Sequence, residues 1–284
     1  MRNTLWLDKL FELGGQVLNT YEVDNYPGMP GISGMDLGEA FGAHARKLGL
    51  EPQREKILSL ENISGEIKTI RTKKHEYQAN ALILAFGAEH RKLDIPGEDD
   101  LCCLCVSYCA TCDGAFYRDV PVCVVGGGDS ACEEAMFLTR FASRVYLIHR
   151  RDTLRASKIM AERTLSNEKI FTMWNSTIVS YKTDDKGELE AVMLKDLVEG
   201  DVTELPVKCV FMAIGHTPNT SFLGDLVDRD DAGYIIREPG LMATKTPGLF
   251  AAGDVADPHY RQAISSAGMG CGAAIEAERY LLGL

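Results

Sequence analysis

No stretch of the chain comes near the ~18 consecutive apolar residues that a membrane span needs. Positive charge is also in short supply: 30 lysines and arginines face 41 aspartates and glutamates, for a net charge of −11. Phosphate backbones and anionic bilayers repel such a chain, so neither nucleic acid nor a membrane is expected as a partner. A secreted disulfide framework is missing too, because the nine cysteines are odd in number and irregular in spacing. The opening "MRNTLWLDKLFELGG" carries acidic residues where a signal peptide needs an uninterrupted apolar core, and a reducing cytoplasm is expected. What remains is 284 residues, 45% hydrophobic and 25% charged, enough for one large core or two ordinary ones.

Periodicity divides the chain. Residues 35–49 have helical spacing, while 65–79 alternate as a hairpin and run into an apolar strand at 80–88. Proline, glycine and acidic residues in "KLDIPGEDD" (92–100) predict a hinge. A strand at 120–128, a helix from Asp129 through "SACEEAMFLTRFA" and a strand at 144–151 follow, which is βαβ order and implies a parallel sheet. Strands are expected again at 190–200 and 207–215, then a return linker at 216–220 and a C-terminal helix. "ALILAFGA" (81–88) and "CVFMAIGH" (209–216) echo one another as apolar strands ending in glycine before a linker, as two related nucleotide-binding domains would.

Gly126-Gly127-Gly128-Asp129-Ser130-Ala131 fits G-x-G-x-x-A between a predicted strand and a predicted helix. The glycines allow the tight turn and let a pyrophosphate reach the free N–H groups at the helix start. At the end of the next strand, an NAD site offers an acid to the ribose 2′-hydroxyl. Here the chain has His149, Arg150 and Arg151, with Arg155 close behind, and guanidinium groups suit a 2′-phosphate. NADPH is therefore expected over NADH.

Five cysteines crowd "LCCLCVSYCATCDG" (101–114). Cys102, Cys105, Cys109 and Cys112 run C-x2-C-x3-C-x2-C, close to zinc and iron–sulfur patterns. Cys109 and Cys112 alone form a C-x-x-C pair able to close and exchange a disulfide. Asp113 beside them is placed to move protons during exchange, or merely to cap a turn.

These segments, with "VVGGGDSACEEA", "LIHRRDTLRAS", "AIGHTPNT", "LFAAGDV" and "YRQAISSAG" in this order, closely resemble the low-molecular-weight, bacterial-type thioredoxin reductases over essentially the whole chain. The resemblance implies an α/β fold of two Rossmann-like domains, an NADPH domain inserted in a discontinuous FAD domain. On this chain that gives a first FAD part at 1–92, an NADPH domain with the redox pair at 93–216 and a second FAD part at 217–284. It implies a homodimer passing electrons from NADPH through FAD to the dithiol and on to thioredoxin.

Carried onto matching positions, the resemblance makes Cys109 and Cys112 the redox pair, with Cys112 toward the flavin, Cys109 attacking thioredoxin and Asp113 the proton donor. Gly126, Gly128, Ser130, His149, Arg150, Arg151 and Arg155 would hold NADPH. Gln16, Asn25, Gly253, Asp254, Arg261, Gln262 and Ala263 would line FAD, with no metal. Cys102, Cys103 and Cys105 become spectators, and Cys123, Cys132, Cys209 and Cys271 are expected in the core.

Three departures stand out. The first dinucleotide domain should open with a strand, glycine loop and helix, yet the chain starts at what resembles the second strand, with Asp8 where the FAD ribose acid would stand. About 30 residues of βα unit would supply the rest; Met1 is expected to be a misplaced start or an artificial boundary, the alternative being a naturally shortened, inactive member, and FAD retention is expected to be poor. Phe86 replaces an expected threonine and would crowd the FAD side, and "CLCVSY" lacks the usual preceding glycine. The rival readings are a related flavoprotein with a glutaredoxin-like, peroxiredoxin or ferredoxin partner, a non-catalytic NADPH-binding module, and a zinc or iron–sulfur protein built on 102–112.

Overall fold

The apolar run before the glycine loop forms the strand Pro121–Val125, buried along almost all its length. The computed structural model describes residues 4–10, 13–20, 22–102 and 104–283; Met1, and Cys103 of the cysteine cluster, lie outside them. Side chains alternate across a strand, and here both faces are covered. Val122 and Val124 meet Ala131, Ala135 and Leu138, whereas Cys123 and Val125 meet Val192, Leu194 and Met212.

This strand is central in a five-stranded parallel sheet ordered Ile170–Met173, Arg144–Ile148, Pro121–Val125, Val210–Met212, Val106–Ser107. The helix Asp129–Leu138 packs through Ala131, Cys132, Ala135 and Leu138, a stripe at helical spacing. A three-stranded antiparallel meander, Ser176–Thr183, Leu189–Asp196 and Val202–Pro206, supplies the other layer. Full burial of each such aliphatic side chain contributes about 1.5–3 kcal/mol. These elements belong to one compact unit, His90–His216.

The other unit joins residues 1–89 to 217–284. Its helix Gly34–Lys47 starts where Ser33 Oγ accepts the Asp36 N–H at 3.0 Å, an N-cap. Its parallel strands form two separate pairs, Trp6–Asp8 with Pro52–Arg54 and Leu82–Leu84 with Leu249–Ala251. The predicted hairpin is present as Lys68–Thr72 and Glu76–Ala79, extended to three strands by Ile57–Glu61. The long C-terminal helix is Ala263–Leu282.

The apolar run at 80–88 is not one strand. It stops at Leu84, and a second strand, Ala88–His90, begins after Gly87, whose φ of +68° turns the chain. Gly215 at the end of the echoing segment has φ +105°, and the strand His216–Pro218 follows it. These two crossings run side by side as a two-stranded sheet. His90 Nδ1 lies 2.8 Å from His216 Nε2.

The first crossing thus falls at 89/90, ahead of the expected hinge. Residues 92–100 belong to the second unit because Glu98 is buried there and accepts the Leu93 N–H at 3.1 Å. Cys123, Cys132 and Cys209 are buried as expected, but Cys271 is exposed. It faces away from Ala273 and Ala277, the stripe through which its helix packs. Phe86 turns edge-on to Phe222, ring centroids 5.0 Å apart, and joins the core of its own unit.

Candidate active site and dinucleotide cradles

Cys109 and Cys112 form a disulfide with Cα atoms 5.3 Å apart. The strand Val106–Ser107 delivers the chain to Cys109, whose carbonyl accepts the N–H groups of Cys112 and Asp113, both at 3.1 Å, to start the short helix Ala110–Asp113. Ala110 is buried against the helix Asp129–Leu138. Gly114 permits the approach, since a Cβ there would stand 2.8 Å from Leu138 Cδ2.

Ser107 Oγ donates to Asp113 Oδ2 at 2.6 Å and accepts the Cys109 N–H at 3.1 Å. Burial pushes the Asp113 carboxyl above its usual range, with the Ser107 hydrogen bond opposing the shift. A carboxyl raised by burial beside a disulfide is a candidate for proton transfer during exchange. Tyr117 lies close by, its hydroxyl donating to the Leu104 carbonyl at 2.6 Å, and Cys209 is buried with its thiol pushed well up by desolvation.

The zinc and iron–sulfur reading of the cluster loses two of its four thiolates to the disulfide. Among the described residues, no group of three or more His, Cys, Asp or Glu side chains is arranged to hold a metal ion.

The glycine loop follows the strand directly. Gly126 has φ +154°, and a Cβ there would stand 2.5 Å from the Ala213 carbonyl oxygen. At Gly127 a Cβ would overlap Cε1 and Nδ1 of His149, whereas at Gly128 it would meet nothing within 4 Å. Gly128 is the N-cap of the helix Asp129–Leu138 and provides no side-chain cap, so the space over the first-turn N–H groups is open. Ser130 is exposed in that turn. These residues fit a dinucleotide pyrophosphate.

Arg150, Arg151 and Arg155 are exposed, but His149 is buried, only 5% exposed. Its ring packs against Gly127 of the loop. Nε2 lies 3.0 Å from the Thr153 carbonyl. Burial, reinforced by the nearby arginines, pushes its pKa below the usual range, and the neutral ring donates through Nε2. The Arg155 N–H donates to the Gly127 carbonyl at 2.6 Å and the Ser157 N–H to Asp129 Oδ1 at 2.8 Å, tying the arginine segment to the glycine loop.

In the other unit, Asn25 Nδ2 donates to Gln262 Oε1 at 2.9 Å. Gln262 caps the helix that starts at Ala263, in a reciprocal box with Ser265. Asp254 accepts from Ser266 at 3.1 Å and is pushed up by burial, and Gly253 ahead of it has φ +76°. Arg261 follows at φ +51°, its N–H held by Asp257 at 3.1 Å. Gln16 Nε2 donates to the Ala88 carbonyl at 3.0 Å, while its Oε1 is buried without a partner. That orphaned acceptor fits a cofactor with a donor to offer. Asp8 Oδ1 accepts the Leu10 N–H at 2.9 Å. Sequence patterns did not single out Ser107 or Asp257, since neither a lone serine nor a loop aspartate belongs to a spacing motif.

A disulfide and a dinucleotide cradle on one parallel sheet are the working parts of a nucleotide-linked disulfide oxidoreductase. Residues 13–270 match the family described as pyridine nucleotide-disulphide oxidoreductase. Thioredoxin reductase of Chlamydia trachomatis is 45% identical over 273 residues, covering 94% of this chain and 86% of its own. Mitochondrial thioredoxin reductase 1 of Arabidopsis thaliana is 44% identical, covering 97% and 76%. Among solved structures, thioredoxin reductase from Streptococcus pyogenes superimposes with a TM-score of 0.89 at 39% identity, covering 95% of this chain and 88% of that one. The chain belongs to the thioredoxin reductase branch of this family, whose members use FAD and NADPH. No helix among the described residues is long and apolar enough to cross a membrane.

Proposed function

We propose that the protein is an NADPH-dependent, FAD-linked thioredoxin-disulfide reductase with Cys109 and Cys112 as its redox pair. The observation that carries this reading is the Cys109–Cys112 disulfide beside the buried Asp113, in the unit that also holds the glycine cradle. The unit 90–216 is the NADPH domain in this reading, and 1–89 with 217–284 is the FAD domain.

Gly126, Gly128 and Ser130 receive the NADPH pyrophosphate, and Arg150, Arg151 and Arg155 its 2′-phosphate, with His149 shaping the loop. Gln16, Asn25, Gly253, Asp254, Arg261, Gln262 and Ala263 line the flavin nucleotide, with Asp8 toward its ribose. When bound, NADPH and FAD would supply the electron pair needed to open the Cys109–Cys112 bond.

In the reduced pair, the Cys109 thiolate attacks one sulfur of thioredoxin's disulfide, forming a mixed disulfide and releasing the other sulfur as a thiolate. Cys112 then attacks Cys109 Sγ, which re-forms the Cys109–Cys112 bond and frees thioredoxin's second sulfur. Two electrons pass to thioredoxin and the two thiol protons follow, with Asp113 as their carrier. The working form is a homodimer in the reducing cytoplasm.

The test is NADPH-dependent thioredoxin reduction by protein supplied with FAD. Cys109→Ser and Cys112→Ser each abolish it while NADPH binding persists; activity retained in both variants refutes the assignment.

A further inference from the structure

We infer that Ser107 is a positioning residue for thiol–disulfide exchange, its hydroxyl holding the Asp113 carboxylate and the Cys109 backbone in one arrangement. The inference rests on the reading of Cys109, Cys112 and Asp113 given above.

Ser107 ends the strand Val106–Ser107, is paired in register with Phe211 and is 5% exposed. The parallel sheet therefore fixes its position. Asp113, by contrast, ends a helix of four residues that begins immediately after Cys109 and includes Cys112. Exchange makes and breaks bonds at both ends of that short segment, so something outside it must keep the carboxylate in place.

The Ser107 hydroxyl makes both connections needed. Its proton goes to Asp113 Oδ2 at 2.6 Å, within the range of hydrogen bonds to an ionised carboxylate. Its lone pair receives the Cys109 N–H at 3.1 Å. Cys109 is the N-cap of the helix, yet its side chain makes no capping bond, so the serine two residues upstream takes over part of that task.

The chemistry gives the hydroxyl a second effect. Burial raises the Asp113 pKa, and the Ser107 hydrogen bond is the influence that lowers it. Among the described residues, Tyr117 and Cys209 feel the Asp113 charge, both driven up by their own burial, and in the reduced protein the Cys109 and Cys112 thiols titrate beside it as well. Removing the hydroxyl therefore leaves Asp113 harder to ionise. The serine itself gains and loses no proton in the exchange.

Threonine and valine have nearly the same shape, so Ser107→Thr and Ser107→Val differ in the hydroxyl and share any strain from the added methyl group. Each full-length protein is reduced with dithiothreitol, desalted anaerobically and mixed with oxidised thioredoxin, and the rate of exchange is followed from acid to alkaline pH. No nucleotide cofactor is required. Ser107→Thr keeps the wild-type profile, whereas Ser107→Val exchanges about tenfold more slowly at neutral pH and its acid limb moves to higher pH. Equal rates and profiles for the two variants, with Asp113→Asn slow, overturn the role of Ser107. Wild-type exchange in Asp113→Asn overturns instead the reading on which the inference rests.

Discussion

Gly127 lies directly against the imidazole of His149, leaving no space for a Cβ between backbone and ring. The glycine loop is thus packed against a buried side chain, whose Nε2 also lies 3.0 Å from the Thr153 carbonyl. Backbone hydrogen bonds from Arg155 to Gly127 and from Ser157 to Asp129 tie the arginine segment to the same loop.

Gly127→Ala forces the ring or the loop to move and is expected to cost about 1–3 kcal/mol in stability, as overpacking does. NADPH affinity falls with it. Adding His149→Ala relieves the overlap, so the double variant recovers part of the loss. Thermal unfolding and NADPH titration of both singles and the double measure that coupling.

Arg150, Arg151 and Arg155 are exposed and favour a 2′-phosphate by charge. Replacing Arg150 and Arg151 with glutamate is expected to raise the KM for NADPH at least tenfold, the equivalent of about 1.4 kcal/mol, and to leave the KM for NADH nearly unchanged. Steady-state kinetics with both nucleotides check this.

Asp257 receives the N–H groups of His259, Tyr260 and Arg261 at 3.0, 2.9 and 3.1 Å and fixes the turn before the C-terminal helix. Burial pushes its pKa up, but these N–H donors and Ser265 outweigh it and the net shift is downward. A depressed carboxylate stabilises the fold above its unfolded value and loses that contribution as the pH falls through its folded value. Asp257→Asn should cost about 1–3 kcal/mol at neutral pH, and the gap in Tm from wild type should close under acid conditions below the usual carboxylate range.

Much of the fold was legible where burial imposes a period. Pro121–Val125 and the stripe Ala131, Cys132, Ala135, Leu138 announce a parallel strand and its crossover helix, and Gly126–Gly128 mark the turn between them. Less was legible where long-range packing decides. Ser176–Thr183 and Val202–Pro206 carry mixed polar patterns and become strands by pairing with Leu189–Asp196. Gly87 breaks an apolar run that reads as continuous, and Glu98 pulls an apparent hinge into a folded unit. Cys271 looks like core by its neighbours, but which face of a small-residue helix is buried is settled by what packs on it.

At the site, local motifs exposed the cysteine pair, the glycines and the arginines. They hid the difference between His149, which is buried, and Arg150 and Arg151, which are exposed, because burial just past a strand end is decided by what packs there. Ser107 was invisible for a related reason: its partner Asp113 is identified by hydrogen bonding across a turn, and a single hydroxyl leaves no periodic trace.

The central claim is tested most directly by counting thiols in the FAD-loaded protein under anaerobic conditions, in denaturant, before and after excess NADPH. The account predicts two additional thiols per chain, from Cys109 and Cys112, and no such gain in Cys112→Ser. Bleaching of the flavin by NADPH with no new thiols in the wild-type protein would contradict it.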